Sequence, residues 1–196
     1  MELPFCSGAV LAGGFSSRMG RDKAALPFGG MTLLEWQVQK LRALGIADIM
    51  VSGSRLPAAG TRYVPDVFPH RGPLSGIHAC LQAARGAHVL VLGVDIPLVP
   101  VSALRALLEN HTEGITALCH GGAVEPLLGV YAAALAAEAE QVLQSERPAV
   151  RRLMARAQLR RLDFDGDARL LVNCNTPDSY SQTVSLTECF HPSLRT

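Results

Sequence analysis

Five segments in the first half of the chain alternate between a strand-like and a helix-like hydrophobic pattern, and that alternation limits the fold more than any other feature. Residues 5–11 are a short apolar run bounded by Pro4 and by Gly13-Gly14, which is how a strand reads when both its faces are covered. Thr32-Leu33-Leu34-Glu35 has the spacing of a capping box, and Leu33, Leu34, Val38, Leu41 and Leu44 then recur at helical intervals until Gly45. A second apolar strand is expected over 47–52, a helix over 73–85 that opens on Pro73 and closes at Gly86, and a third strand over 88–94. Strand, helix, strand, helix, strand with short connections implies parallel pairing through right-handed crossovers. The expected fold is therefore α/β in three layers, a mostly parallel central sheet with helices on both faces and ligands at the carboxyl ends of its strands.

The second half continues the alternation less cleanly. A helix is expected over 101–110 after Pro100, strands over 115–119 and 125–131 on either side of Gly121-Gly122, and an alanine-rich helix over 132–144. Residues 145–148 could mark a joint, but no linker is long enough to divide 196 residues, so one domain spanning 1–196 is expected. The charge balance, 18 Lys+Arg against 17 Asp+Glu, disfavours a polyelectrolyte-binding surface. Hydrophobic residues at 48% exclude disorder, and aromatics at 5% leave few rings for stacking on exposed bases. No nucleic-acid partner is expected. Cys6, Cys80, Cys119, Cys174 and Cys189 are scattered without metal-ligand or redox spacing and read as reduced core thiols. The first residues lack the basic start of a signal peptide, and the longest apolar run, 126–137, is too short to span a bilayer, so a cytoplasmic protein without membrane contact is expected.

Two features carry chemistry. Leu11-Ala12-Gly13-Gly14-Phe15-Ser16-Ser17-Arg18-Met19-Gly20-Arg21-Asp22-Lys23 follows the first strand directly. Glycines let backbone N–H groups turn towards phosphate oxygens, while Arg18 and Lys23 supply positive charge, one as a planar fork and one as a point. A turn with solvated charges is the plainer reading, but three glycines, two hydroxyls and three cations favour a phosphate loop. The stretch fits neither G-x-x-x-x-G-K-[ST] nor G-x-G-x-x-G, which disfavours a Walker-type ATPase and a dinucleotide fold of the usual kind. The second feature is Val94-Asp95-Ile96-Pro97, an apolar strand ending in a carboxylate. Asp95 alone reads equally well as a turn cap or as a hard oxygen ligand for Mg²⁺. A phosphate loop on the neighbouring strand favours the ligand, and the pair implies Mg²⁺-assisted chemistry at a nucleoside triphosphate.

These two motifs, with Gly72-Pro73-Leu74-Ser75-Gly76 and Asn173-Cys174-Asn175-Thr176-Pro177 further on, resemble the molybdenum cofactor guanylyltransferases, which sit among the nucleotidyltransferases of Rossmann-like, nucleotide-diphospho-sugar-transferase type. The resemblance runs in the same order from Leu11 to Pro177. It implies transfer of GMP from GTP to the terminal phosphate of molybdopterin, with or without molybdenum, with Mg²⁺ as cofactor and molybdoenzymes or cofactor-insertion proteins as further partners. It implies that Leu11, Ala12, Gly13 and Gly14 meet the nucleotide through backbone groups, that Arg18 and Lys23 hold phosphates, and that Asp66 makes an acidic contact to the nucleotide. It further implies that Asp95 is the Mg²⁺ ligand and that Asn173 and Asn175 face the acceptor. On this view residues 1–100 hold the nucleotide and 101–196 the acceptor. Where the family commonly has Asn at the end of the second strand, this chain has Ser52, and no role is carried onto it. Related cytidylyltransferases often carry L-A-A-G where this chain has Leu11-Ala12-Gly13-Gly14, so the absent methyl at Gly13 favours GTP over CTP.

Such a reaction needs no protein base, because a phosphate monoester with a second pKa of about 6 is already largely dianionic at neutral pH. The six histidines, His70, His78, His88, His111, His120 and His191, accordingly form no compact motif. Cys174 reads as a filler between two asparagines rather than a nucleophile. Arg147, Arg151, Arg152, Arg156, Arg160 and Arg161 form a run without acids, in which Arg152, Arg156 and Arg160 would share a stripe if the segment were helical. A solvated face is the plainer reading of that run, and a docking face for an anionic pterin or acidic partner the sharper one. Two alternatives remain open: cytidylyl or other nucleotidyl transfer to the same cofactor or to a sugar phosphate, and a non-catalytic nucleotide-binding cofactor carrier.

Overall fold

The computed structural model describes residues 5–13 and 22–190, with side chains up to residue 187. Its first strand, β1 (Cys6–Leu11), is buried at every position, as a strand with helices on both sides must be. A small antiparallel hairpin, β2 (Pro27–Phe28) and β3 (Met31–Thr32), leads into α1 (Leu33–Ala43). The capping box is formed as its spacing predicts: Thr32 Oγ1 accepts from the Glu35 backbone, and the Glu35 carboxylate accepts from the Thr32 N–H at 2.8 Å. Then follow β4 (Ile49–Ser52), β5 (Arg62–Tyr63), α2 (Pro73–Ala83), β6 (His88–Gly93) and α3 (Val101–Glu109). The second half adds β7 (Ile115–His120), β8 (Ala123–Ala132), α4 (Ala136–Gln144), α5 (Val150–Arg156), β9 (Leu159–Asp163) and α6 (Pro177–Phe190).

Seven strands make one sheet in the order β5-β4-β1-β6-β8-β7-β9. Pairing is parallel on both sides of β1, between β4 and β5 and between β7 and β9, while β8 runs antiparallel to both β6 and β7. The reversal comes from the turn at Gly121 and Gly122, both at positive φ (+57° and +79°), which closes a two-residue hairpin between His120 and Ala123. As a result β8 starts, rather than ends, at the edge where the parallel strands finish.

Alternation along each strand sorts the core into two layers. Leu90 and Leu92 of β6 pack with α1 and α3, while Val89 and Val91 pack with α2, α4 and α5. The three-layer arrangement inferred from the alternation is the one observed. Several elements depart from the sequence expectation. The segment holding Arg160 and Arg161 is strand β9, paired with β7 at Thr116 and Ala117, so helix α5 stops at Arg156 and the proposed stripe of Arg152, Arg156 and Arg160 does not form. The helix expected over 132–144 is divided: Ala132 ends β8, a 3-10 turn covers Ala133–Leu135, and α4 begins at Ala136. Elements β5 and α6 were not foreseen. Among the described residues no helix is long and apolar enough to cross a membrane.

Candidate active site

Two groups of residues converge on the carboxyl edge of the parallel strands. The first lies where β1 meets β4. The Ala12 N–H donates to the Ser52 carbonyl at 2.8 Å, so the chain leaves both strands side by side. Immediately beyond, the backbones of Gly13 and Gly53 nearly touch: a Cβ on Gly13 would come to 3.0 Å from the Gly53 α-carbon. What the geometry supports for Gly13 is thus a close crossing of two loops. Ser52 Oγ donates to the Asp66 carboxylate at 2.6 Å, which brings Asp66 from the loop after β5 into the same group as Leu11, Ala12 and Gly13. The serine found where an asparagine was expected therefore orients the acid. Gly76, on the first turn of α2, closes this corner, since a Cβ there would meet Ser52 Oγ at 2.9 Å and Leu11 Cδ2 at 3.1 Å.

The second group lies where β6 ends. Lys23 opens a 3-10 turn, Lys23–Ala25, whose first N–H groups are capped by Asp22, and Asp22 in turn accepts from Ser54 Oγ at 2.8 Å. The Lys23 ammonium donates to Asn175 Oδ1 at 2.6 Å and lies 3.8 Å from an Asp95 carboxylate oxygen. Asp95 is fixed from the other side as well, because its backbone carbonyl accepts from the Cys174 N–H at 2.7 Å. Burial pushes the Asp95 carboxyl above the usual carboxylate range, and the Lys23 charge opposes that rise. Such a carboxylate gains from any further cation brought beside it. The structure brings together Lys23, Asp95, Asn173 and Asn175, and places Leu11, Ala12, Gly13 and Asp66 in the adjoining group. Arg18 and Gly14 lie outside the described residues.

Sequence reasoning missed two sets of residues. Helix α1 supports the Asp95 loop from beneath: Trp36 Nε1 donates to the Pro97 carbonyl at 2.8 Å, Gln37 Nε2 to the Gly93 carbonyl at 2.7 Å, and the buried Lys40 ammonium to the carbonyls of Pro97 and Val99. Burial drives the Lys40 pKa well below that of a free lysine. The other miss is Glu125, near the start of β8. Its carboxylate accepts from the Leu127 N–H at 3.3 Å. Burial raises its pKa, as does the charge of Asp95, while the Leu127 N–H, the Asn173 side chain and Arg151 oppose that rise. The sequence held a signal for Glu125: a Gly-Gly hairpin turns the following strand back, and its first residues must then stand beside the end of the neighbouring parallel strand.

Cys6, Cys80, Cys119 and Cys174 are buried and unpaired. Burial pushes the thiols of Cys6 and Cys80 up to about 12 and raises that of Cys174, so none of these three is a ready nucleophile at neutral pH.

A family model for the MobA-like NTP transferase domain matches residues 8–182. The molybdenum cofactor guanylyltransferase of Xanthomonas euvesicatoria pv. vesicatoria is 36% identical over 183 residues, covering 91% of this chain and 94% of that one. Among solved structures, molybdopterin-guanine dinucleotide biosynthesis protein A from Archaeoglobus fulgidus superposes with a TM-score of 0.76 at 23% identity, over 93% of this chain and 99% of that one. A manganese complex of a Mycobacterium tuberculosis protein superposes with a TM-score of 0.70 at 20% identity, over 94% and 100% of the two chains. At such identities the superpositions speak to the fold, and both share it. The residues matched by the family model take in both groups on the carboxyl edge, from Leu11 to Asn175. This chain is a nucleotidyltransferase and belongs to the MobA-like NTP transferase domain family.

Proposed function

We propose that the protein transfers GMP from GTP to the terminal phosphate of molybdopterin, with or without bound molybdenum, and releases pyrophosphate. The observation that carries this reading is the meeting of Lys23, Asp95 and Asn175, drawn from three distant parts of the chain onto one strand edge. In the reaction an oxygen of the acceptor phosphate attacks the α-phosphorus, a new P–O bond forms, and the bond to the β-phosphate bridging oxygen breaks. The acceptor is already dianionic, so no residue has to remove a proton. The chain's task is positioning and charge compensation. Leu11, Ala12, Gly13 and Gly14 offer backbone groups to the nucleoside, Asp66, oriented by Ser52, contacts the nucleotide, and Arg18 with Lys23 receives the phosphates. The acceptor lies on the side of Asn173 and Asn175, which divides the work between residues 1–100 and 101–196.

The donors at the second group suit a magnesium ion. Asp95 is a partly desolvated carboxylate, the asparagine amides add neutral oxygens, and no cluster of three or more His, Cys, Asp or Glu is present among the described residues. That is the arrangement expected for an ion held by one or two carboxylates, by water and by substrate phosphates rather than by an all-protein cage. Asp95 would hold it, and the ion would supply charge neutralisation at the phosphates of the bound triphosphate. The manganese complex of the structural neighbour supports a divalent ion in this fold. The partners are small anions, with molybdoenzymes or cofactor-insertion proteins receiving the product in the cytoplasm.

Incubating the purified protein with Mg²⁺, molybdopterin and either GTP or CTP, with pyrophosphate measured and the product weighed by mass spectrometry, tests the reading. A guanine dinucleotide is expected, and equal or greater turnover with CTP would overturn the choice of base. Lys23→Ala should lower kcat/KM for GTP by about 10²-fold, and Asp95→Asn should lower Mg²⁺-dependent turnover by a similar factor. Full activity in Asp95→Asn would remove the metal role.

A further inference from the structure

Asp95 sits on a turn that closes itself only weakly. Gly93, Val94, Asp95 and Ile96 carry the chain off the end of β6, and the bond across this turn, from the Ile96 N–H to the Gly93 carbonyl, is 3.5 Å long. Both carbonyls at the ends of the turn are held by one amide on α1: Gln37 Nε2 donates to the Gly93 carbonyl at 2.7 Å and to the Ile96 carbonyl at 3.1 Å. Gly93 also lies against the carboxylate itself, since a Cβ there would come to 2.7 Å from Asp95 Oδ1. The Gln37 side chain is fully buried, and its Oε1 has no hydrogen-bond partner among the described residues. A buried acceptor left unpaired costs stability, and a methionine would fill the same length without that cost. What a glutamine offers here is the pair of donors on one amide nitrogen, and two carbonyls facing the same end of the amide settle which end that is.

We propose, building on the reading of Asp95 as the ligand of a divalent ion, that Gln37 is a positioning residue for that ligand and sets how tightly the ion is held. Magnesium demands near-ideal octahedral geometry, so a small drift of its carboxylate weakens the bond. Three contacts fix the turn from outside. The Val94 N–H donates to the Leu11 carbonyl at 3.0 Å, the Cys174 N–H to the Asp95 carbonyl at 2.7 Å, and Gln37 to the carbonyls on either side. The first two join backbone to backbone, and Gln37 alone of the three acts through a side chain. Trp36 and Lys40 reach the carbonyls of Pro97 and Val99, past the turn, and secure where the chain goes next. A glutamine that only satisfied buried carbonyls would affect stability whatever the ion concentration. One that positions the ligand produces a loss that excess ion repairs.

Gln37→Met in the full chain keeps the length of the side chain, removes both donors and separates the two roles. The half-saturating Mg²⁺ concentration for dinucleotide formation should rise about tenfold, while kcat and KM for GTP at saturating Mg²⁺ stay within about twofold of wild type. A readout without turnover stands beside this. Mn²⁺ titrated into the protein with GTP and no acceptor, followed by the electron paramagnetic resonance signal of the free ion and compared with GTP alone, should show a similar weakening. Gln37→Asn, whose amide is one methylene short of the carbonyls, should move both readings the same way and serves if the methionine variant folds poorly. A kcat that excess Mg²⁺ fails to restore, or wild-type Mn²⁺ affinity in both variants, overturns the proposal. Asp95→Asn tells the two failures apart. If it also binds Mn²⁺ as wild type does, the metal reading of Asp95 fails and the role of Gln37 with it; if it binds weakly while the Gln37 variants do not, the role of Gln37 alone fails. If wild type makes no dinucleotide from GTP and molybdopterin, the transfer reaction is wrong, and the Mn²⁺ titrations still decide whether Gln37 sets the ion.

Discussion

Gly53 has φ +87°, and an added Cβ would overlap the backbone nitrogen and α-carbon of Gly13. Two constraints therefore meet at one residue: a backbone conformation that side chains resist and a contact that leaves no room for one. Gly53→Ala should displace the loop that follows β1, lowering stability by about 1–3 kcal/mol and raising KM for GTP more than KM for the acceptor, measured by urea unfolding and initial rates. Nothing in the sequence pairs Gly13 with Gly53, because the contact exists only once β1 and β4 are side by side. Lys23, by contrast, stands out from the glycine-rich loop around it, and Asp95, ambiguous by itself at a strand end, stands out once that loop is placed on the neighbouring strand. Glu125 was not, since a single acid before an apolar run looks like any strand start until the direction of β8 is known.

At the scale of elements, α1 has a task beyond filling the core. Its capping box and leucine spacing are written in the sequence, but Trp36, Gln37 and Lys40 on one side of it reach the carbonyls of the loop that carries Asp95. Lys40→Met keeps the volume and leaves the Val99 carbonyl without its ammonium donor. It should reduce stability by about 1–3 kcal/mol in urea unfolding and lower kcat while affinity for GTP is retained. Strand β9 shows why part of the second half was hard to read. Leu159-Arg160-Arg161-Leu162-Asp163 lies at the sheet edge with three exposed residues, so it carries the charges that edge strands tolerate, and its arginines imitate helical spacing. Helix α6 escaped notice for the opposite reason: it is rich in Ser and Thr, with no strong apolar stripe, and it starts on a local Thr176–Ser179 hydrogen-bonded turn. The strands β1, β4 and β6 were legible because burial on both faces leaves an unbroken apolar run.

Across the whole molecule the two edges of the sheet divide chemistry from anchoring. At the amino edge Asp48 accepts from Ser7 Oγ at 2.6 Å, from Arg62 Nε at 2.9 Å and from the Arg85 N–H at 3.2 Å, while Ser7 Oγ also accepts from the Gly86 N–H. Burial pushes the Asp48 carboxyl up, but these bonds outweigh it and hold the pKa down to about 2. A carboxyl whose pKa is lowered by folding stabilises the protein above its unfolded value, near 4, and loses that contribution as the pH falls towards 2. Asp48→Asn should therefore cost about 2 kcal/mol at pH 7 by urea unfolding, with the gap to wild type closing as the pH falls from about 4 towards 2. The carboxyl edge, by contrast, depends on contacts between remote parts of the chain: the Lys23–Asn175 hydrogen bond spans 152 positions. On the ribosome the segment through Asp95 emerges with Lys23 well before Asn173, Cys174 and Asn175 are made. A nascent chain can thus begin to assemble its parallel strands early and still lack the Lys23–Asn175 contact until the segment that carries Asn175 has emerged.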